Sequence, residues 1–370
     1  MIKESGHCVL ELAEIPAEEI SDPNLLVKEP VVSVKMITYN HEQYIAQAIE
    51  SVLEQKTEFS FELVIGEDCS TDRTREIVFD YQKKYPDIIR VITSGKNVGA
   101  RKNSMRTLKA RCGKYIALCE GDDYWTNPNK LQKQVDFLDA NHDYVICFHW
   151  AGWLNQESGR IIHWKYGPPV IKSYYTEDDL LEHSNFIPTC STVYRTKLFD
   201  KIPDWYYKVE IGDFPLHILN AQHGKIGFID EPMAVYRRHK GGIHGGSAKT
   251  ENLERLLRVY HIIGTNMDLD RRPSFRTGVS KHYANLCETY REEGKHVRAL
   301  RAGLKSIAIA PRNHKKNAFV RVLSFLFPFL YKLYRLLRRS LAILKNEGVR
   351  AFLLKTKCRA LRKSMSEDDM

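Results

Sequence analysis

The chain has 370 residues and a mass of 42.9 kDa, 43% apolar and 28% charged, which is enough for a large core over about two domains and excludes wholesale disorder. Its eight cysteines are scattered with no C-x-x-C pair, against a structural zinc module or a disulfide framework and in keeping with a reducing cytoplasm. The net charge of +10 is uneven: residues 311–370 hold 15 Lys/Arg against 4 Asp/Glu, and the first 310 residues hold 41 against 42, so a neutral body carries a basic tail suited to an anionic partner.

Met1–Leu10 has neither the basic end nor the apolar run of a secretion signal, and residues 1–30 read as an acidic, unpatterned extension. From Val31 the rhythm alternates. Val31–Ile37 predicts an apolar strand, and Glu42–Leu53 a helix with Tyr44, Ile45, Ala48, Ile49 and Val52 on one face. Phe61–Ile65 predicts a second strand, followed by a helix from Arg73 to Tyr85, capped by Asp72 and stopped by Pro86. Ile88–Ile92, a helix near Asn103–Ala110 and Tyr115–Leu118 come next, then a helix from Pro128 to about Asp139 and a strand over Tyr144–His149. Strands alternating with helices imply βαβ units, an α/β fold and a mostly parallel central sheet. Beyond Trp150 the pattern loosens into aromatic-rich segments and a Gly-rich loop at Gly241–Gly246. After about Lys249 it is all helix, with Tyr283, Leu286, Cys287, Tyr290, Ala299, Ser306 and Pro311 at the spacing of one tetratricopeptide-type hairpin.

Ligands of such sheets gather where strands end, and four strand-end loops carry polar clusters: Thr38–Glu42, Glu67–Asp72, Asn97–Asn103 and Glu120–Trp125. The last is the sharpest. Glu120, Asp122 and Asp123 repel one another unless a cation compensates them, and hard ions such as Mg²⁺ or Mn²⁺ take one or two carboxylates plus ligand phosphates. Capping of the following helix by Asp122 or Asp123 is the plainer alternative. Asp68 lies where a carboxylate accepts a hydrogen bond from a nucleobase, and Tyr39 where a ring stacks on one. Asn97, Arg101 and Asn103 contact phosphate or cap a helix.

The stretches Val32–Asn40, Glu67–Asp72, Asn97–Gly99 and Glu120–Trp125, in this order and at these strand ends, give residues 31–240 a strong resemblance to family 2 glycosyltransferases. That resemblance implies the GT-A nucleotide-sugar fold over 31–248; it does not reach the C-terminus, where the residue pattern itself gives a helical region over 249–315 and a basic amphipathic tail over 316–370. It implies an inverting, Mn²⁺- or Mg²⁺-dependent transferase of bacterial surface-polysaccharide type, with a UDP- or dTDP-sugar donor and a glycan or lipid-linked acceptor. Carried over by position, Ile37, Thr38, Tyr39, Asn40 and Glu42 surround the nucleotide and Asp68 bonds its base. Asp122 lies near the ribose, and Asp123 ligates the metal with Asp122 beside it. The family's base, an acid at a helix start, corresponds to Asp213, with Glu210 its rival. Arg237, Arg238, His239 and His244 flank the Gly-rich loop, where they compensate the diphosphate.

Trp153 and Trp164 are the best placed of five tryptophans to stack on sugars. A nucleotidyltransferase would want a Gly-rich basic loop after the first strand, where this chain has Thr38-Tyr39-Asn40-His41-Glu42. In the tail, Lys332, Arg335, Arg338 and Arg339 interleave with Leu333, Leu336 and Leu337. That pattern suits an anionic membrane surface better than a nucleic acid and implies a cytoplasmic enzyme on the inner face of the plasma membrane. Packing of the tail on the enzyme is the alternative.

Overall fold

Val32, Val34 and Met36 are fully buried, and so are the residues between them or nearly so; a strand covered on both faces belongs at the centre of a parallel sheet. The computed structural model describes residues 15–199, 201–242 and 248–310. In chain order the elements are β1 (Glu18–Ile20), β2 (Val32–Thr38), α1 (Ile45–Leu53), β3 (Phe61–Glu67), α2 (Thr74–Lys84), β4 (Ile89–Thr93), α3 (Ala100–Lys109), β5 (Tyr115–Leu118), β6 (Tyr124–Trp125), α4 (Lys130–Ala140), β7 (Tyr144–Asn155), β8 (Arg160–Tyr166), α5 (Glu177–His183), β9 (Val193–Arg195), α6 (Asp213–Ala221), β10 (Lys225–Arg238), α7 (Lys249–Asn266), α8 (Pro273–Glu292) and α9 (His296–Ile309).

The strands form one sheet in the order β1-β4-β3-β2-β5-β9-β7-β10-β6, with β8 paired to β7. The β4-β3-β2-β5 block is parallel throughout, as the alternating sequence requires. Antiparallel β9 joins it to the parallel pair β7–β10. The expected strands are all present. The extension, though, is not wholly unpatterned: Glu18–Ile20 adds antiparallel to β4, where Glu19 pairs with Arg90 at 2.7 Å. The strand expected to end at His149 runs on to Asn155, and β10 extends over 14 residues, with Pro232 at a register shift where its missing N–H costs no ladder bond.

The chain divides into two compact units, at Gly278/Val279. In the first, α7 packs through Tyr260, whose hydroxyl donates to Leu181 O at 3.0 Å and whose ring meets Phe214 at 5.3 Å. In the second, the end of α8 and α9 lie against each other. Ser280 and Ser306 each donate to the other's carbonyl, at 2.7 and 2.8 Å, over buried Ala299 and Ala302. No described helix is long and apolar enough to cross a membrane.

One buried group works against stability. The Lys130 side chain is fully buried, its amine has no hydrogen-bond partner among the described residues, and it lies 4.0 Å from the Trp125 ring centroid, near Cys119, Cys147 and Cys190. Burial lowers its pKa to about 7. Unfolded, a lysine keeps its proton to about pH 10.4, so between these values the unfolded state holds more protons and stability rises with pH. Lys130→Met keeps the chain length and removes the charge. It should stabilise the protein at pH 7 by something on the order of 1–3 kcal/mol and flatten the rise between pH 7 and 10, both read from melting curves across pH.

Candidate functional site

The strand-end loops are tied to one another before any ligand is considered. Asn40, in the left-handed conformation that asparagine tolerates, accepts the Thr71 N–H at 2.9 Å. Glu42 accepts the Arg73 N–H at 3.0 Å and donates its own N–H to Asp72, which also accepts the Thr74 N–H that opens α2. The N-cap position is Arg73, one residue later than expected, so Asp72 serves the first N–H of α2 from just outside the helix and ties the loops. Asp68, expected to face a base, is 1% exposed and accepts the N–H groups of Val98 and Gly99 at 2.9 Å each, with Arg106 at 3.4 Å. Its carboxylate positions the Asn97–Gly99 loop, and Asn97 donates in return to Asp68 O.

Two residues expected at phosphate are likewise engaged within the protein. The Asn103 amide donates to Gly66 O and accepts from Arg106. Arg101 donates to Tyr206 O at 2.7 Å and lies over that tyrosine's ring at 3.7 Å. Tyr39 remains 42% exposed at the rim. Ile37 and Thr38 bring β2 against the acidic loop, since Ile37 N–H donates to Glu120 and Gly121 N–H donates to Ile37 O.

The structure separates the two adjacent aspartates. Asp123, expected as the main metal ligand, is 2% exposed and accepts the Arg237 N–H at 2.8 Å. Asp122 stands instead with His41 and His239, the ligand atoms of all three lying within 4.8 Å of one another, and His239 Nε2 is 3.1 Å from Asp122 Oδ2. Arg237 donates to Asp122 O, Gln156 and Gln47, so its guanidinium braces the loop. Burial raises the pKa of Glu120, and burial with the Asp122 charge raises that of Asp123 well above the ordinary range. At Asp122 burial acts the same way, but the His239 hydrogen bond and the nearby His41 outweigh it and lower the pKa. Of three crowded acids, the one beside two imidazoles is held ionised. Burial also keeps the His41 pKa below its ordinary value, so its ring is neutral and able to ligate at pH 7. Two imidazoles and a carboxylate fit a divalent first-row ion.

Asp213 opens α6, partly exposed, with Oδ2 accepting from the Asn185 amide and the Thr189 hydroxyl at 2.9 Å each. Its rival Glu210 is exposed and bound by Arg255 at 3.2 Å and Arg258 at 2.6 Å, which keep its pKa low. Tyr166 and Tyr236 pack with ring centroids 5.8 Å apart, and carboxylates of both acidic centres act on them. Burial and then the Asp213 charge push Tyr166 up to about 12, and Tyr236 is raised by burial and by Asp123, Asp122 and Asp213. Trp153 meets Tyr166 at a tilt, with ring centroids 6.0 Å apart. The Trp164 side chain, His244 and the tail lie outside the described residues. His41, Asn185, Thr189 and the two tyrosines were not singled out from sequence. Only His41 sat in a strand-end cluster, and nothing local tied it to His239.

Residues 33–203 match the family described as glycosyl transferase family 2. An uncharacterized protein of Mycobacterium tuberculosis is 39% identical over 219 residues, 57% of this chain and 60% of the relative. An uncharacterized glycosyltransferase of Nostoc sp. is 30% identical over 223 residues, 59% of this chain and 67% of the relative. The Staphylococcus aureus poly(ribitol-phosphate) beta-N-acetylglucosaminyltransferase TarS is 30% identical over 252 residues, 64% of this chain and 41% of that protein. The crystal structure of TarS 1–349 in complex with UDP-GlcNAc shares the fold, with a TM-score of 0.56 and 19% identity over 82% of this chain and 91% of that one.

Asp122 and Asp123 should therefore respond differently to substitution. Asp123→Ala strands a buried N–H and should cost about 1–3 kcal/mol, seen as a lower urea midpoint. Asp122→Ala should leave that midpoint within about 1 kcal/mol, while the Mn²⁺ affinity measured by calorimetry falls at least about tenfold.

Proposed function

From the chain's membership of glycosyl transferase family 2, we propose that it moves a sugar, with inversion, from a nucleoside-diphosphate donor of UDP or dTDP type to a hydroxyl of a glycan or lipid-linked acceptor in surface-polysaccharide synthesis. The observation that carries this reading is the pair of acidic centres, Asp122 with two histidines and Asp213 at a helix start, whose charges both reach Tyr236. The M. tuberculosis relative is matched over less than two thirds of its length, so the activity rests on this site.

In the proposed reaction Ile37, Thr38 and Tyr39 receive the nucleoside, with the exposed Tyr39 ring against the base. Asp122, His41 and His239 would hold a divalent ion, which supplies positive charge to the leaving diphosphate. Asn185 and Thr189 fix the carboxylate of Asp213 towards the acceptor. As the acceptor oxygen attacks the anomeric carbon, Asp213 takes the hydroxyl proton and the bond from that carbon to the diphosphate oxygen breaks. Tyr166, Tyr236 and Trp153 offer aromatic faces to the sugars between the two centres.

The basic, Leu-rich tail is proposed to hold the enzyme on an anionic membrane, each basic residue near the surface contributing ~1 kcal/mol. Deleting the residues after Pro311 should then abolish sedimentation with phosphatidylserine vesicles at low salt, while Mn²⁺ binding persists.

Asp213→Asn should leave donor affinity near wild type and lower turnover by roughly 10²–10⁴, measured as kcat against donor Kd. Glu210→Gln, which loses only its ties to Arg255 and Arg258, should keep most of the turnover. Loss of turnover in the second variant alone would move the base to Glu210.

A further inference from the structure

We propose that His41 is a direct ligand of the divalent ion, which gives the centre two imidazoles and one carboxylate and makes it select Mn²⁺ and the later first-row ions over Mg²⁺. The inference rests on the metal site proposed above and deepens it, giving His41, from a loop otherwise assigned to the nucleoside, a direct bond to the ion and the centre its choice of ion.

Three separate elements converge here. His41 comes from the loop between β2 and α1, Asp122 from the loop after β5, and His239 directly follows β10. Their ligand atoms lie within 4.8 Å of one another. Donor atoms bound at ~2.1 Å to one ion stand about 3–4 Å apart, so small rotamer adjustments close the set. The Asp122–His239 hydrogen bond is the contact an ion would replace.

The position of His41 is built rather than incidental. Its backbone N–H donates to Thr74 Oγ1 at 2.7 Å, and one ring nitrogen lies 3.2 Å from Thr38 Oγ1. A hydroxyl on one nitrogen orients the ring, as the outer partner of a ligating histidine does. His239 meets the His41 ring edge-on at 5.8 Å and packs on Tyr44 at 4.8 Å. Gly121 is the enabling residue beside Asp122. A Cβ there would come within 2.8 Å of Thr38 and 3.1 Å of His41 Nδ1, so any side chain would push the acidic loop off the histidine.

The donor set fixes the chemical class of ion. Mg²⁺ keeps its waters and prefers oxygen, taking one or two carboxylates plus phosphates. Imidazole nitrogens favour the later first-row ions, and affinity for a given nitrogen and oxygen site rises from Mn²⁺ through Co²⁺. A centre with two imidazoles should therefore bind Co²⁺ above Mn²⁺ and Mn²⁺ well above Mg²⁺ before any nucleotide is present.

The test uses the full chain loaded with Mn²⁺ alone, with pulsed electron paramagnetic resonance counting directly bonded nitrogens. Two nitrogens are expected in the unsubstituted protein and one in His41→Gln, together with at least a tenfold loss of Co²⁺ affinity and less than a twofold change for Mg²⁺. His41→Cys should gain Cd²⁺ binding, which a purely structural residue would not confer. One nitrogen in the unsubstituted protein, or two in His41→Gln, overturns the assignment, and the first of these outcomes decides even if the variants misfold. Failure of the metal site itself looks different: the unsubstituted protein binds no Mn²⁺, or Asp122→Asn binds it unchanged.

Discussion

The Asp123 carboxylate, buried and bonded to the Arg237 N–H across 114 residues of sequence, is the constraint on which the site depends. It ties the acidic loop to the end of β10, and the Arg237 guanidinium, donating back to Asp122 O, doubles the tie. With both ends held, His239 has little choice but to stand against Asp122. The cost is a carboxylate out of water, moderated by the rise of its pKa. The return is a neighbour, Asp122, presented in ionised form to two imidazoles.

The same economy of charge runs along the rim. Polar side chains at strand ends are those most readily assigned to a ligand, yet several spend their hydrogen bonds on adjacent loops. Glu67 is fully buried and accepts from Arg75, Thr93 and two backbone N–H groups, while Asp68, Asn40, Glu42 and Asp72 link three loops together. Loops held in this way lose little entropy when a ligand arrives, which is how a surface made of connecting segments is preorganised. The Tyr39 ring stays exposed at the rim beside them.

Asp213 follows a different logic. It lies where the short stretch after the 3-10 turn Asp204–Lys208 enters α6, and two neutral donors, Asn185 and Thr189, hold one of its oxygens. Three residues earlier, Glu210 is absorbed by arginines of α7. The helical segment after the sheet thus pairs one of the two acids with arginines and leaves the other to neutral donors. His217, one turn on from Asp213, is buried with its pKa pushed down to about 4, so it stays neutral beneath the carboxylate.

The sequence by itself determined the α/β class, a mostly parallel sheet and the strand-end loops that hold the polar clusters, because alternation of apolar strands with amphipathic helices is a local pattern and strand ends follow from it. The Glu120–Asp123 run announced a charge problem, and the acid before the apolar run Phe214–Leu219 announced a helix start with a carboxylate. Only the tertiary structure decided which of two adjacent aspartates meets the two histidines, because neighbouring residues in a turn can point to opposite sides and the Arg237 N–H that captures the other is distant in sequence. The pairing of His41 with His239, and the withdrawal of Asp68, Asn103, Arg101 and Arg237 into the protein, were hidden for the same reason. A polar residue's function is set by which partner reaches it first, and those partners are brought in by strand order rather than by sequence neighbourhood.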